Sequence, residues 1–319
     1  MTNKKLMDSV KPYYTTKYGN AYAGDTLELI KNIPDDSLDL IVTSPPYGLR
    51  DKKEYGNADP EVYVKWFMPF AEEFKRVLKP TGSFVLNIGG SWELGKPTRS
   101  IYHFRLLLEL CKTFELAEEF VWTKPAAIPT PAQWVTVKRV RVKDAVEYVW
   151  WFSKTAHPKA DNRNVLLPYS DAMKSLIKKG YVSKKRPSGY SISKNFQKDN
   201  GGSIPPNFLT FGSQESNSYY IRMCNQHNLK IHPARYPLKL PEFFIKFLTD
   251  EGDTVLDPFA GSNVTGEAAQ RHKRNWLAFE LSEAYLEGSK FRFDKRADEE
   301  NAARDIKEKK SSVKQKHLS

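Results

Sequence analysis

Four short apolar runs constrain this chain more than any other feature. They are Leu38-Asp39-Leu40-Ile41-Val42, Ser83-Phe84-Val85-Leu86-Asn87-Ile88, Thr254-Val255-Leu256-Asp257 and Trp276–Glu280. Each is near-continuously apolar and ends in turn residues, the pattern of a strand covered on both faces in a parallel sheet. Helical periodicity lies between them. A short helix begins at Leu27, Leu29 and Ile30. Residues 61–79 carry Val64, Phe67, Met68, Ala71, Phe74 and Leu78 on one side, with Pro69 expected to kink them and Pro80-Thr81-Gly82 to close them. Further helices are expected over 99–113, 241–249, 264–272 and 282–291, and further strands near 119–123 and 147–152. Strand–helix alternation at both ends of the chain predicts an α/β fold with one doubly wound, mostly parallel sheet.

The middle breaks that rhythm. From about 157 to 230 periodicity weakens and Gly, Ser, Asn, Lys and Pro become frequent, so an inserted, loop-rich module is expected there. The charge is concentrated in the same region. The whole chain carries +12, yet residues 135–200 alone hold fifteen Lys/Arg against five Asp/Glu, or +10. The tail 294–319 adds +2 and the rest sums to zero. Basicity confined to one segment is the footprint of a polyanion-binding patch. The tail is charged and apolar-poor, and a frayed helix or disorder is expected. Cys111 and Cys224 are too few for a disulfide framework or a cysteine-rich zinc site, and no metal is called for. No run approaches the roughly 18 apolar residues of a membrane span, and the polar start lacks a secretory core. A soluble, cytoplasmic protein is expected.

Two turns carry the chemistry. Asp257-Pro258-Phe259-Ala260-Gly261-Ser262-Asn263 joins a strand to a helix, where Gly261 lets a ligand approach the backbone and the helix start offers amide donors. Nineteen residues on, Glu280 ends the next strand, near the offset at which an acid meets a nucleotide ribose. The turn is neither a dinucleotide fingerprint nor a phosphate loop; its single glycine suits a ligand without pyrophosphate, such as S-adenosylmethionine. The second turn, Thr43-Ser44-Pro45-Pro46-Tyr47, follows an apolar strand. Its prolines fix the backbone and supply no N–H groups, Ser44 adds a hydroxyl and Tyr47 a flat ring. An exocyclic amine needs such acceptors, and its base needs a face to stack on. A plain proline turn and an ordinary strand-to-helix turn are the bland alternatives.

Ser-Pro-Pro-Tyr together with Asp-Pro-Phe-Ala-Gly-Ser-Asn resembles the amino-group DNA methyltransferases. The order of catalytic motif, basic module and cofactor motif is that of their beta group, a permutation of the Rossmann-like methyltransferase sheet. The serine in the tetrapeptide is similar to the N4-cytosine type. Further stretches resemble members of that type, among them Lys52–Asn57, Arg141–Val146, Trp150–Thr155, Lys198–Asn207 and His232-Pro233-Ala234-Arg235. The likeness runs from about residue 10 to 293. Tyr47 stands where phenylalanine also occurs, and Pro258-Phe259-Ala260 departs from an Ile-Phe-Gly version.

The resemblance implies a catalytic half over 10–156, a target-recognition module over 157–230, a cofactor half over 231–293 and the tail 294–319. It implies S-adenosylmethionine as cofactor, double-stranded DNA as partner and a cytosine flipped out of the duplex. Ser44 and the Pro45 carbonyl would accept the amine's hydrogen bonds, Pro46 would fix the turn and Tyr47 would stack on the base. Asp257, Phe259, Gly261, Ser262, Asn263 and Glu280 would form the cofactor site. Asp25 would border the adenine, although a helix N-cap explains it equally well. His232 is expected to be structural, and Trp150-Trp151 to be core. Neither cysteine follows proline, which argues against C5 methylation. By analogy a cognate restriction endonuclease, a monomeric state and CAGCTG as the target are expected. N6-adenine methylation and a non-catalytic DNA-binding protein of the same fold are the rival readings.

Overall fold

The structure, a computed structural model, describes residues 6–49, 56–180, 198–212 and 217–297, with 299 and 303. Lys52–Tyr55, Lys184-Lys185-Arg186 and most of the tail 294–319 lie outside the described residues.

Strand residues that alternate between two apolar faces need cover on both. The strands are β1 (Tyr14–Thr15), β2 (Gly19–Ala23), β3 (Leu38–Thr43), β4 (Leu78–Ile88), β5 (Ser91–Trp92), β6 (Arg99–Ser100), β7 (Glu115–Thr123), β8 (Val146–Ser153), β9 (Phe208–Thr210), β10 (Thr254–Asp257) and β11 (Asn275–Glu280). The helices are α1 (Thr26–Leu29), α2 (Tyr63–Val77), α3 (Tyr102–Leu110), α4 (Asp171–Lys179), α5 (Tyr219–Gln226), α6 (Lys239–Leu248), α7 (Val264–Arg271) and α8 (Glu283–Ser289). Nine strands form one sheet in the order β1-β2-β11-β10-β3-β4-β8-β7-β9. The five strands from β2 to β4 in that order run parallel, β8 runs antiparallel between β4 and β7, and β9 joins β7 in parallel.

Ile41, Phe84, Leu86, Leu256, Leu277 and Phe279 point to one face and pack with Phe67, Phe74, Leu106 and Leu110 of α2 and α3. Their neighbours Leu40, Val42, Val85, Val255, Trp276 and Ala278 point to the other, against Phe244 and Leu248 of α6 and Ala268 and Ala269 of α7. The doubly wound reading therefore holds. Trp150 and Trp151 are buried on opposite faces, as core residues should be.

Several expected boundaries move. Pro80-Thr81-Gly82 does not follow the helix as a break: α2 already ends at Val77, and these residues lie inside β4. Leu78 pairs with Leu38 before the register shifts, so the turn signal is absorbed by an irregular strand start. Pro69 is accommodated, exposed, within one helix. The helix expected over 99–113 is shorter, because Arg99 and Ser100 pair with Trp92 and Ser91 in a small hairpin. The strand near 119–123 starts four residues earlier, at Glu115. Within 157–230, β9 joins the main sheet and α5 buries Tyr219, Tyr220 and Cys224. No helix among the described residues is long and apolar enough to cross a membrane.

The parallel order places β10, from late in the chain, beside β3, from early in it. Chain connections leave these strands in opposite directions, and the crevice outside their carboxyl ends is where such sheets bind ligands.

Candidate active site

Both motif turns open from those two carboxyl ends. The last residue of β3, Thr43, donates its hydroxyl to Asp257 Oδ1 at 2.7 Å, which joins the turns beneath a cavity of about 580 Å3. Asp257 is buried and does not line that cavity. It also accepts from Thr265, Tyr236 and the Phe259 amide. Burial pushes its carboxyl up, and those hydrogen bonds oppose the shift. Its place is structural: it fixes the loop that carries Phe259, Gly261 and Ser262 to the cavity wall.

Gly261 is left-handed, at φ 53°, and a Cβ there would meet the His232 ring at 3.1 Å, so the ring packs directly on this glycine. Its amide donates to Glu280 Oε2 at 2.8 Å, while Oε1 accepts from the Ser282 amide. The nineteen-residue offset is thus a direct contact. Burial raises the Glu280 carboxyl, with these amides opposing. Asn263, also left-handed, caps α7 through Gly266 and lies off the cavity. Asp25 caps α1 through the Leu27 amide at 2.8 Å, as its N-cap reading expects, and it also lines the cavity. Phe259 packs edge-on against Phe70 and tilted on Trp66, completing an aromatic wall. Two carboxylates and an aromatic wall suit a nucleoside with ribose hydroxyls.

The other end is built on Ser44–Tyr47. Tyr63 donates to the Pro46 carbonyl at 2.8 Å and holds the turn. The Tyr47 ring lies over Gly89, where a Cβ would come within 2.6 Å of it, so only glycine seats the ring there. Tyr47 donates its hydroxyl to Glu147 Oε2 at 2.7 Å, and Ser44 Oγ stands 3.3 Å from Tyr47 Oη. Burial, then the Glu147 charge, pushes the Tyr47 phenol well above its ordinary value. Asn87 donates to the same Glu147 oxygen at 3.1 Å, and Lys124 pairs with the other.

Asp25, Ser44, Pro45, Pro46, Tyr47, Phe259, Gly261, Ser262 and Glu280 therefore share one cavity wall; Asp257 and Asn263 support it from behind. His232 also lines the cavity; burial lowers its imidazole to about 4, so at neutral pH it is uncharged. Cys111 and Cys224 do not line it. Sequence reasoning missed Trp66, Asn87, Trp122, Lys124, Glu147 and Tyr236. Asn87 and Lys124 carried a usable signal, since polar residues at the carboxyl ends of predicted strands fall on the ligand edge.

A family model described as DNA methylase matches residues 38–291. The type II methyltransferase M.PvuII of Proteus hauseri is 51% identical over 297 residues, 92% of this chain and 88% of the relative. M.BglII of Bacillus subtilis is 27% identical over 294 residues, 89% of this chain and 72% of that relative. The solved PvuII DNA methyltransferase (cytosine-N4-specific) matches with a TM-score of 0.73 and 44% identity, covering 89% of each chain.

Proposed function

This chain belongs to the DNA methylase family, and from that premise we propose that it methylates the exocyclic N4 of a cytosine at a specific site in duplex DNA, with S-adenosylmethionine as donor. One observation carries the reading: the Thr43–Asp257 bond sets the amine-accepting turn and the nucleoside-binding turn on one cavity.

Phe259 and Asp25 would border the adenine, Glu280 would accept from the ribose hydroxyls, and the Gly261 backbone would lie against the remainder. When bound, the cofactor supplies an electrophilic methyl group. The protein's own part is positioning and electrostatics. Ser44 Oγ and the Pro45 carbonyl accept the amine N–H groups and aim its lone pair; the Pro46 carbonyl is already taken by Tyr63. Tyr47 stacks on the ring. The base must leave the helix to reach this wall, because its N4 is unavailable to chemistry inside the duplex.

The basic segment would grip phosphates, with 157–230 as the recognition module and a few side chains reading base edges. The role extends to a monomeric cytoplasmic enzyme paired with a restriction endonuclease, with CAGCTG as the site to test first. Mass spectrometry of DNA treated with enzyme and cofactor is expected to show N4-methylcytosine. N6-methyladenine alone would replace the cytosine reading, and no methyl transfer would favour the non-catalytic one.

If the patch makes six to ten phosphate contacts, DNA affinity is expected to fall by about 1,000-fold or more between 50 and 200 mM salt. A titration that loses less than about tenfold would remove the patch from the binding account and leave the chemistry standing.

A further inference from the structure

Methylating an amine leaves a proton to dispose of, and a chain of polar atoms leads away from Ser44. Glu147 is its far end. Oε2 receives Tyr47 at 2.7 Å and Asn87 at 3.1 Å, and Oε1 receives the Lys124 ammonium. An ionised carboxylate only accepts, and a tyrosine has one hydroxyl hydrogen to give. Asn87 Oδ1 is also near that hydroxyl, at 3.3 Å, but the closer, charged oxygen makes the stronger bond. With its hydrogen on Glu147, Tyr47 Oη must be the acceptor toward Ser44, 3.3 Å away. Ser44 therefore turns its own hydrogen away from the cavity and its lone pairs toward it. Glu147 thereby sets Ser44 as the acceptor that an amine requires.

We propose that Ser44, Tyr47 and Glu147 form a proton relay in which Glu147 is the terminal acceptor for the proton lost by the target amine. The proposal rests on the N4-methylation reading. As the amine lone pair forms the nitrogen–carbon bond, the sulfur–carbon bond breaks and its electron pair stays on sulfur. The nitrogen is left cationic with one proton too many. Ser44 Oγ takes that proton and passes its own hydrogen to Tyr47 Oη, which passes its own to Glu147 Oε2. Serine and tyrosine end neutral, the carboxylate ends as a carboxylic acid, and no charge is left on the methylated base. Neither hydroxyl is ever ionised, which suits the buried Tyr47. Glu147 is 13% exposed, enough to return the proton to solvent between turnovers. It acts through Tyr47 and is a positioning residue as well as a sink.

The test is a double-mutant cycle on the full chain with DNA and S-adenosylmethionine. Glu147→Gln is expected to lower the single-turnover rate about 100-fold while the Kd values for DNA and cofactor stay within about twofold. Tyr47→Phe, which keeps the ring, is expected to lose as much, and the double variant to be no slower than either single. A Glu147→Gln rate within about threefold of wild type, or losses that multiply in the double variant, overturns the relay. If Glu147→Gln does not fold, Tyr47→Phe decides: a rate within about threefold of wild type overturns the relay, and a loss of about 100-fold with unchanged Kd supports it. A wild-type enzyme that never methylates cytosine N4 would instead sink the underlying reading.

Discussion

Replacing Ser44 with alanine is expected to slow methyl transfer by about 100- to 1,000-fold, the cost of losing one preorganised hydrogen-bonding group at a reacting centre. The serine oxygen is the side-chain acceptor proposed to meet the amine, and its direction is set by Tyr47. Truncation leaves the Pro45 carbonyl in place, so some activity should survive. The loss should fall on the single-turnover rate, because an interaction that strengthens as the amine reacts contributes little to ground-state binding. Rapid-quench assays beside equilibrium binding of DNA and cofactor make the distinction. A variant that binds DNA more weakly but turns over at the wild-type rate would show that Ser44 holds the base without taking part in the chemistry.

The second large effect concerns stability. Arg292 and Glu267 form an ion pair at 2.8 Å with side chains 3% and 4% exposed. The same guanidinium donates to the Ser262 carbonyl at 2.7 Å and to its hydroxyl at 3.0 Å, so it holds the Gly261–Ser262 turn from beneath. Arg292→Ala leaves a buried carboxylate without this partner, and a loss of about 3–5 kcal/mol is expected. Urea unfolding should show a lower midpoint at an unchanged slope. Replacing both partners with apolar residues of similar volume should restore much of the loss, since the pair's own desolvation is costly. A loss under about 1 kcal/mol for the single variant would mean that water reaches Glu267 and that the pair behaves as a surface one.

These effects differ in how far the sequence announced them. Ser44 stood in a local pattern, a rigid proline turn at the end of an apolar run, and could be read without a fold. Glu280 was legible because one strand–turn–helix–strand unit fixes its distance from Gly261. Glu147 was not. It lies at the amino end of β8, where ligand-edge reasoning would not look, and reaches the cavity because β8 runs antiparallel to β4. Asn87 and Glu147 are sixty positions apart yet share a hydrogen bond. Arg292 was hidden likewise: a charged residue in a charged stretch reads as surface until Ser262 and Glu267 are seen above it.

The basic segment shows the same limit, because charge records composition and not location. Of the 157–230 stretch, Phe208–Thr210 became a strand of the main sheet and Tyr219–Gln226 a helix packed into the body. Backbone pairing can recruit three residues from a loop-rich region with little periodic pattern to show for it.

By itself, then, the sequence determined what is local: the apolar runs that must be buried on two faces, the helices between them, and the two turns with their acceptors and glycine. Hydrophobic periodicity and turn chemistry act over a few residues, so they can be read from a few residues. Only the tertiary structure decided which strand edges coincide, that Thr43 would reach Asp257, and that Glu147, Lys124 and Asn87 would stand behind Tyr47. Those are consequences of strand order and direction, set by the packing of the whole sheet.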